Sequence, residues 1–228
     1  MEAFSLLFCL FALGCTRQSP LLSPTPVDLN NLMDVQTSGP VVPLTASRWT
    51  EGLSPTYVRF KNDAAGNLYV DWPSGNPNKT WNYAFGASTT KVLTGKTLTA
   101  TVTQTALSGL PAFIQAPEAG NTCPVAPNMR PFLFAYRNDW SGEFSRWWAS
   151  QGWTLVAPGM YQWSVPLQPD LWTSVYGKSG TQAPAQFADA LKNISAVGFT
   201  FGGGCFYGHG VYVAGGTARW MLSQLLIQ

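Results

Sequence analysis

Tryptophan carries the strongest hint of chemistry in this sequence. Trp140, Trp147, Trp148 and Trp153 fall within fourteen residues, and Asn138 and Asp139 immediately precede the first of them. An indole offers an apolar π face that stacks on the C–H face of a sugar ring, while neighbouring amides, carboxylates and guanidinium groups bond to hydroxyls. Trp147 and Trp148 are adjacent on a strand candidate, so their side chains point to opposite faces and one must leave the core side. The same residues would also serve as core filler, since the chain contains 10 Trp, 8 Tyr and 13 Phe. Both readings stay open at the level of sequence.

Other chemistry-bearing residues are sparse. Asp139 and Glu143 lie four apart, and glycosidases use paired carboxylates, but spacing along a loop does not set a distance in space. His209 is the only histidine and stands between Gly208 and Gly210. With no nucleophile elbow near it, it reads as a structural residue that fixes its loop, so no catalytic residue is assigned. Tyr207, in the same loop, joins Asn138, Asp139 and the four tryptophans as a candidate ligand-binding residue. Asp63, Asn67 and Asp71 would be the ligands of a structural calcium ion or else plain turn residues; no loop has the acidic density of a strong oxygen cage. No other cofactor is expected.

The elements that must position these residues are β-rich. In Phe199 to Val213, two β-rich runs flank a loop that holds five of the 22 glycines, Cys205 and His209. Period-two alternation marks strand candidates at 57–60, 68–72, 83–85, 96–103, 144–148, 161–165, 197–201 and 217–227, and 132–137, apolar on both faces, reads as a central strand. Asn62 to Asn67 carries turn chemistry and predicts a hairpin; Ala157-Pro158-Gly159 predicts a second, between 152–155 and 161–165. Residues 108–131, with five prolines, read as a long irregular connection. Phe187, Leu191 and Ile194 predict one short helix over 186–194. Many short strands separated by turns imply an all-β fold, a β-sandwich or jelly roll of two antiparallel sheets with one short helix. Charged residues make up only 11% of the chain and the net charge is +2, which excludes nucleic acid as an expected partner.

Residues 4–14 form an apolar run too short to span a bilayer but of signal-peptide length, ending Ala12-Leu13-Gly14-Cys15. This ending resembles the lipobox of bacterial lipoproteins. The resemblance implies a signal peptide over 1–14, lipidation of Cys15 and display on the cell envelope, at the outer membrane or cell surface; an ordinary cleaved secretory leader and a buried N-terminal segment are the alternatives. Residues 15–43, rich in proline, then read as a tether, and 44–228 as the domain. In an exported chain, Cys123 and Cys205 are expected to form a disulfide contributing about 4 kcal/mol. Two buried free thiols are the alternative.

Within 44–228, the order of a Gly-Lys-Thr-Leu-Thr-Ala strand, a Phe-rich strand, Gly-Met-Tyr-Gln-Trp-Ser-Val-Pro-Leu, Ile-Ser-Ala-Val-Gly-Phe-Thr-Phe-Gly-Gly and a C-terminal strand resembles the galactose-binding-like jelly rolls of carbohydrate-binding modules. That resemblance of layout implies a non-catalytic domain that binds poly- or oligosaccharide. A structural or adhesive envelope protein that binds another protein is the runner-up, and a glycoside hydrolase comes third.

Overall fold

The computed structural model describes residues 43–54, 60–75, 77, 80–88, 92–116, 125–136, 140–203 and 208–228. The leader, Cys15 and the tether as far as residue 42 lie outside them, as do Cys123, Asn138, Asp139, Cys205 and Tyr207. The described residues form twelve strands and one α-helix: β1 (Trp49–Ser54), β2 (Lys61–Asn62), β3 (Leu68–Asp71), β4 (Thr80–Ala87), β5 (Thr97–Gln115), β6 (Asn128–Ala135), β7 (Arg146–Ala149), β8 (Trp153–Thr154), β9 (Gly159–Pro166), β10 (Trp172–Ser174), α1 (Pro184–Lys192), β11 (Ile194–Gly202) and β12 (Val211–Ile227).

Strand pairing sorts them into two antiparallel sheets. The first runs β10-β7-β6-β11-β4-β1, with β8 continuing alongside β6 beyond the end of β7. The second runs β2-β3-β12-β5-β9, and the two are bridged where Val211 at the start of β12 pairs with Trp81 of β4. Their inner faces meet in one aromatic core. Trp163 and Trp220 of the second sheet contact Phe199 of the first at 5.2 and 5.7 Å, and Trp81 stacks on Phe201 at 4.1 Å. The expected sandwich of two antiparallel sheets with one short helix is therefore the fold observed.

Alternation explains which residues line that core. Leu98, Ala100, Val102 and Gln104 of β5 are buried, while Thr97, Thr99, Thr101 and Thr103 stand on the other side, half-buried. Gln104 is the polar member of the inward set, and its Oε1 accepts the Trp72 indole N–H at 2.8 Å. The helix packs on the core through Phe187, Ala190 and Leu191. It begins two residues before the expected start and stops at Lys192, so Ile194 opens β11 instead of closing the helix.

Three expectations need correction. Residues 108–131 are not an irregular connection throughout, because β5 continues to Gln115 and β6 starts at Asn128. Proline is tolerated within the strand: Pro111 lies where β5 has β12 on one side and, past Gln104, no strand on the other among the described residues, so the missing N–H breaks no ladder. Gly109, at φ 60°, makes the bulge beside it. Pro131 sits where the neighbour of β6 changes from β8 to β7. Second, β8 and β9 do not form a hairpin, because β8 pairs with β6 and β9 with β5, so the Ala157-Pro158-Gly159 turn crosses between the sheets. Third, the β-rich run ending at Val213 and the separate candidate over 217–227 are one strand, β12 from Val211 to Ile227, in which a register shift between Leu222 and Gln224 moves the core parity from Trp220 and Leu222 to Leu225 and Ile227.

Candidate functional site

The outer face of the first sheet is aromatic rather than polar. Cross-strand pairs share a face, and the register sets Tyr83 beside Thr200, Phe85 beside Gly198, Phe132 beside Gly198 and Trp148, and Phe134 beside Ala196 and Arg146. Phe85, Phe132, Phe134, Trp148 and Ala196 form a second buried cluster with Tyr83 and Val175 packed against it, separate from the core between the sheets. All eight residues of β6 are consequently buried, which is why that strand reads as apolar on both faces.

Trp140 lies over this floor. Its ring meets Phe134 at 4.5 Å, Tyr83 at 5.3 Å and Phe85 at 6.3 Å, yet the residue is 44% exposed. Arg146 holds it from the side: Nη2 donates to the Trp140 carbonyl at 3.1 Å, and the guanidinium lies 5.4 Å from the Trp140 ring centroid and 6.0 Å from that of Trp148. Such cation–π contacts strengthen where water is excluded. Burial pushes the Tyr83 phenol above its usual pKa, and the adjacent Arg146 charge partly opposes the shift. Gly208, at φ 75°, rests on the Tyr83 ring; a Cβ there would come within 2.8 Å of a ring carbon. Two further groups on this side are occupied or closed off. Arg130 spends its donors on the Asn128 side chain and on the carbonyls of Ala149 and Ser150, and the Thr200 hydroxyl is buried.

The four tryptophans do not form one platform. Trp147 points into the core with no exposure, donates its indole N–H to the Phe144 carbonyl at 2.8 Å and packs on Phe187. Trp148, its neighbour, faces the outer side as the adjacency requires, but it is covered at 2% exposure. Trp153 stacks on Trp163 at 4.7 Å on the inner side and is half-buried. Of the four, only Trp140 is exposed. Glu143 is ion-paired with Lys178 at 3.0 Å, and His209 is exposed. Asp63 and Asp71 are engaged elsewhere. The first accepts from the Ala65 and Asn67 amides and the Asn67 side chain, and the second pairs with Arg219 at 2.7 Å. No group of three His, Cys, Asp or Glu suited to a metal occurs among the described residues.

Tyr83, Phe85, Phe132, Phe134 and Arg146 escaped the sequence reading. Their signal was present as aromatic residues at i and i+2 in two strands, which places each pair on one face.

No known protein family matches the sequence, and no curated protein matches it. Solved structures similar in layout include a family 11 carbohydrate-binding module from Clostridium thermocellum in complex with a beta-1,3-1,4-mixed-linked tetrasaccharide, at 10% identity, TM-score 0.43, covering 79% of this chain and 88% of that one. The solution structure of CtCBM11 aligns at 8% identity and TM-score 0.44 over 85% and 97% of the two chains. The agarase AgWH50C aligns at 10% identity and TM-score 0.43 over 83% of this chain and 24% of its own. At superpositions this loose no residue role transfers from one chain to the other.

Proposed function

We propose that the domain binds neutral glycan without catalysis, at the outer face of the first sheet, with Trp140 as the stacking ring. The observation that carries this reading is a tryptophan residue 44% exposed to solvent whose ring is nonetheless held by three ring contacts and an arginine. A ring already fixed in place loses little freedom when a sugar stacks on it, so more of the contact energy appears as affinity. The Arg146 side chain and the Tyr83 phenol border the ring and supply polar edges. Asn138, Asp139 and Tyr207 are proposed as its hydroxyl partners on sequence grounds. Display at the cell envelope through an acylated Cys15, and a Cys123–Cys205 disulfide, belong to the same proposal and rest on the sequence.

Affinity electrophoresis against a panel of neutral polysaccharides tests the reading. Retardation should persist when salt is raised from about 0.1 to 1 M, since the Debye length shrinks from roughly 10 to 3 Å while stacking is not screened. Absence of retardation by every polysaccharide, or its loss in salt, overturns it. One observation favours the runner-up, a protein-binding envelope component. The far half of β5 carries no charge and exposes Leu110 at 88%, together with Leu107 and Ile114.

A further inference from the structure

A cleft of about 440 Å³ opens between the connection from β6 to β7 and helix α1, lined among others by Tyr136, Glu143, Phe144, Ser145, Gln186 and Asp189. Its size falls in the range of small-molecule sites. Tyr136 enters it from a left-handed backbone, φ 53°, fixed by its N–H to the Asn193 carbonyl at 3.0 Å and by its hydroxyl, which donates to Asp189 Oδ2 at 2.7 Å. A non-glycine residue in that conformation is held there by its surroundings.

The charges of the cleft select a ligand class. Glu143 and Asp189 are the two carboxylates among its lining residues. Glu143 already holds an ammonium, since Lys178 Nζ lies 3.0 Å from its Oε1 and 5.4 Å from the centroid of the Phe144 ring. Asp189 carries no ion pair among the described residues; its other neighbour is the Asn193 amide at 3.5 Å. Two carboxylates repel an anion, and a divalent metal would lack a third carboxylate, histidine or cysteine among the described residues. What remains is a ligand that brings an ammonium to a carboxylate beside an aromatic wall, the pairing Lys178 displays within the molecule, and hydroxyls to the remaining acceptors.

We propose that this cleft is a second ligand site, one that takes an amino sugar, its ammonium paired with Asp189 and its ring lying along the Tyr136 wall. The site is independent of glycan binding at Trp140. Glucosamine is the probe, with glucose as the uncharged control of the same size. In a nitrogen-15 NMR titration, glucosamine should saturably shift amides of α1 and of residues 142–145, and glucose should not. Asp189→Asn keeps an acceptor for Tyr136 and should weaken glucosamine binding about tenfold, equivalent to about 1.4 kcal/mol. Lys178→Ala, which removes the resident ammonium, should tighten it. Trp140→Ala should lose polysaccharide and keep glucosamine, so failure of one site is distinguishable from failure of the other. Equal shifts with glucose, no saturable shift with glucosamine, wild-type affinity in Asp189→Asn, or no tightening in Lys178→Ala would each overturn the assignment.

Discussion

Removing the Trp140 side chain separates a binding ring from a structural one. Stacking of a nucleobase on an aromatic side chain is worth about 1–3 kcal/mol by alanine substitution, and that range serves as an upper guide for a sugar ring. Trp140→Ala should therefore weaken polysaccharide binding roughly 5- to 150-fold. Its folding cost should be moderate. A fully buried Trp costs about 3–5 kcal/mol on truncation, and with 44% of Trp140 exposed the loss scales to about 2 kcal/mol. Trp148, buried to 2% against Phe132 on the same face, is the internal control, since Trp148→Ala should cost the full 3–5 kcal/mol, taking the same magnitude. Urea denaturation gives the two stabilities, and isothermal titration of the folded Trp140→Ala protein gives the affinity. Wild-type affinity in Trp140→Ala would refute the stacking argument. A stability loss equal to that of Trp148→Ala would show that the ring is part of the fold rather than a binding surface.

Gly198→Ala should destabilise the domain by about 3 kcal/mol or more in the same denaturation assay, because a Cβ there would lie 2.0 Å from the Ala84 carbonyl oxygen and 2.5 Å from Phe85 Cα, and backbone cannot rotate away. Burial holds the phenols of Tyr83, Tyr136 and Tyr161 above the usual tyrosine range, so the folded state keeps protons that the unfolded chain releases. Stability from these groups is full below pH of about 10 and declines as pH rises toward the folded values. Alkaline titration followed at the phenolate absorbance should show them ionising late in the native protein and together on unfolding. Cys15→Ser should release the protein from membranes, and a lipid-free mature N-terminus elsewhere in wild type would contradict acylation. Peptide mapping without reductant should link Cys123 to Cys205; two alkylatable thiols in the native protein would exclude the bridge.

The sequence by itself determined the class of fold. Alternation in Thr97 to Thr103, turn chemistry at Asn62 to Asn67 and the Phe187/Leu191 spacing are local patterns, and local backbone preference plus burial of one face suffices to express them. It also determined that Trp147 and Trp148 face opposite ways. What it could not determine was which tryptophan reaches solvent. A residue that points away from one core can be buried under a second layer, as Trp148 is beside Phe132, while Trp140 emerges above Phe134. That outcome depends on strands far apart in the chain meeting in one register, Phe85 and Phe132 both opposite Gly198, and no spacing along the sequence encodes such a meeting. The carboxylates behave alike: Glu143 came into view paired with Asp139 on sequence spacing, but the fold sets it in a cleft with Asp189 from a helix forty-six residues further on. Tertiary structure decided the site because burial and charge pairing are properties of neighbours in space.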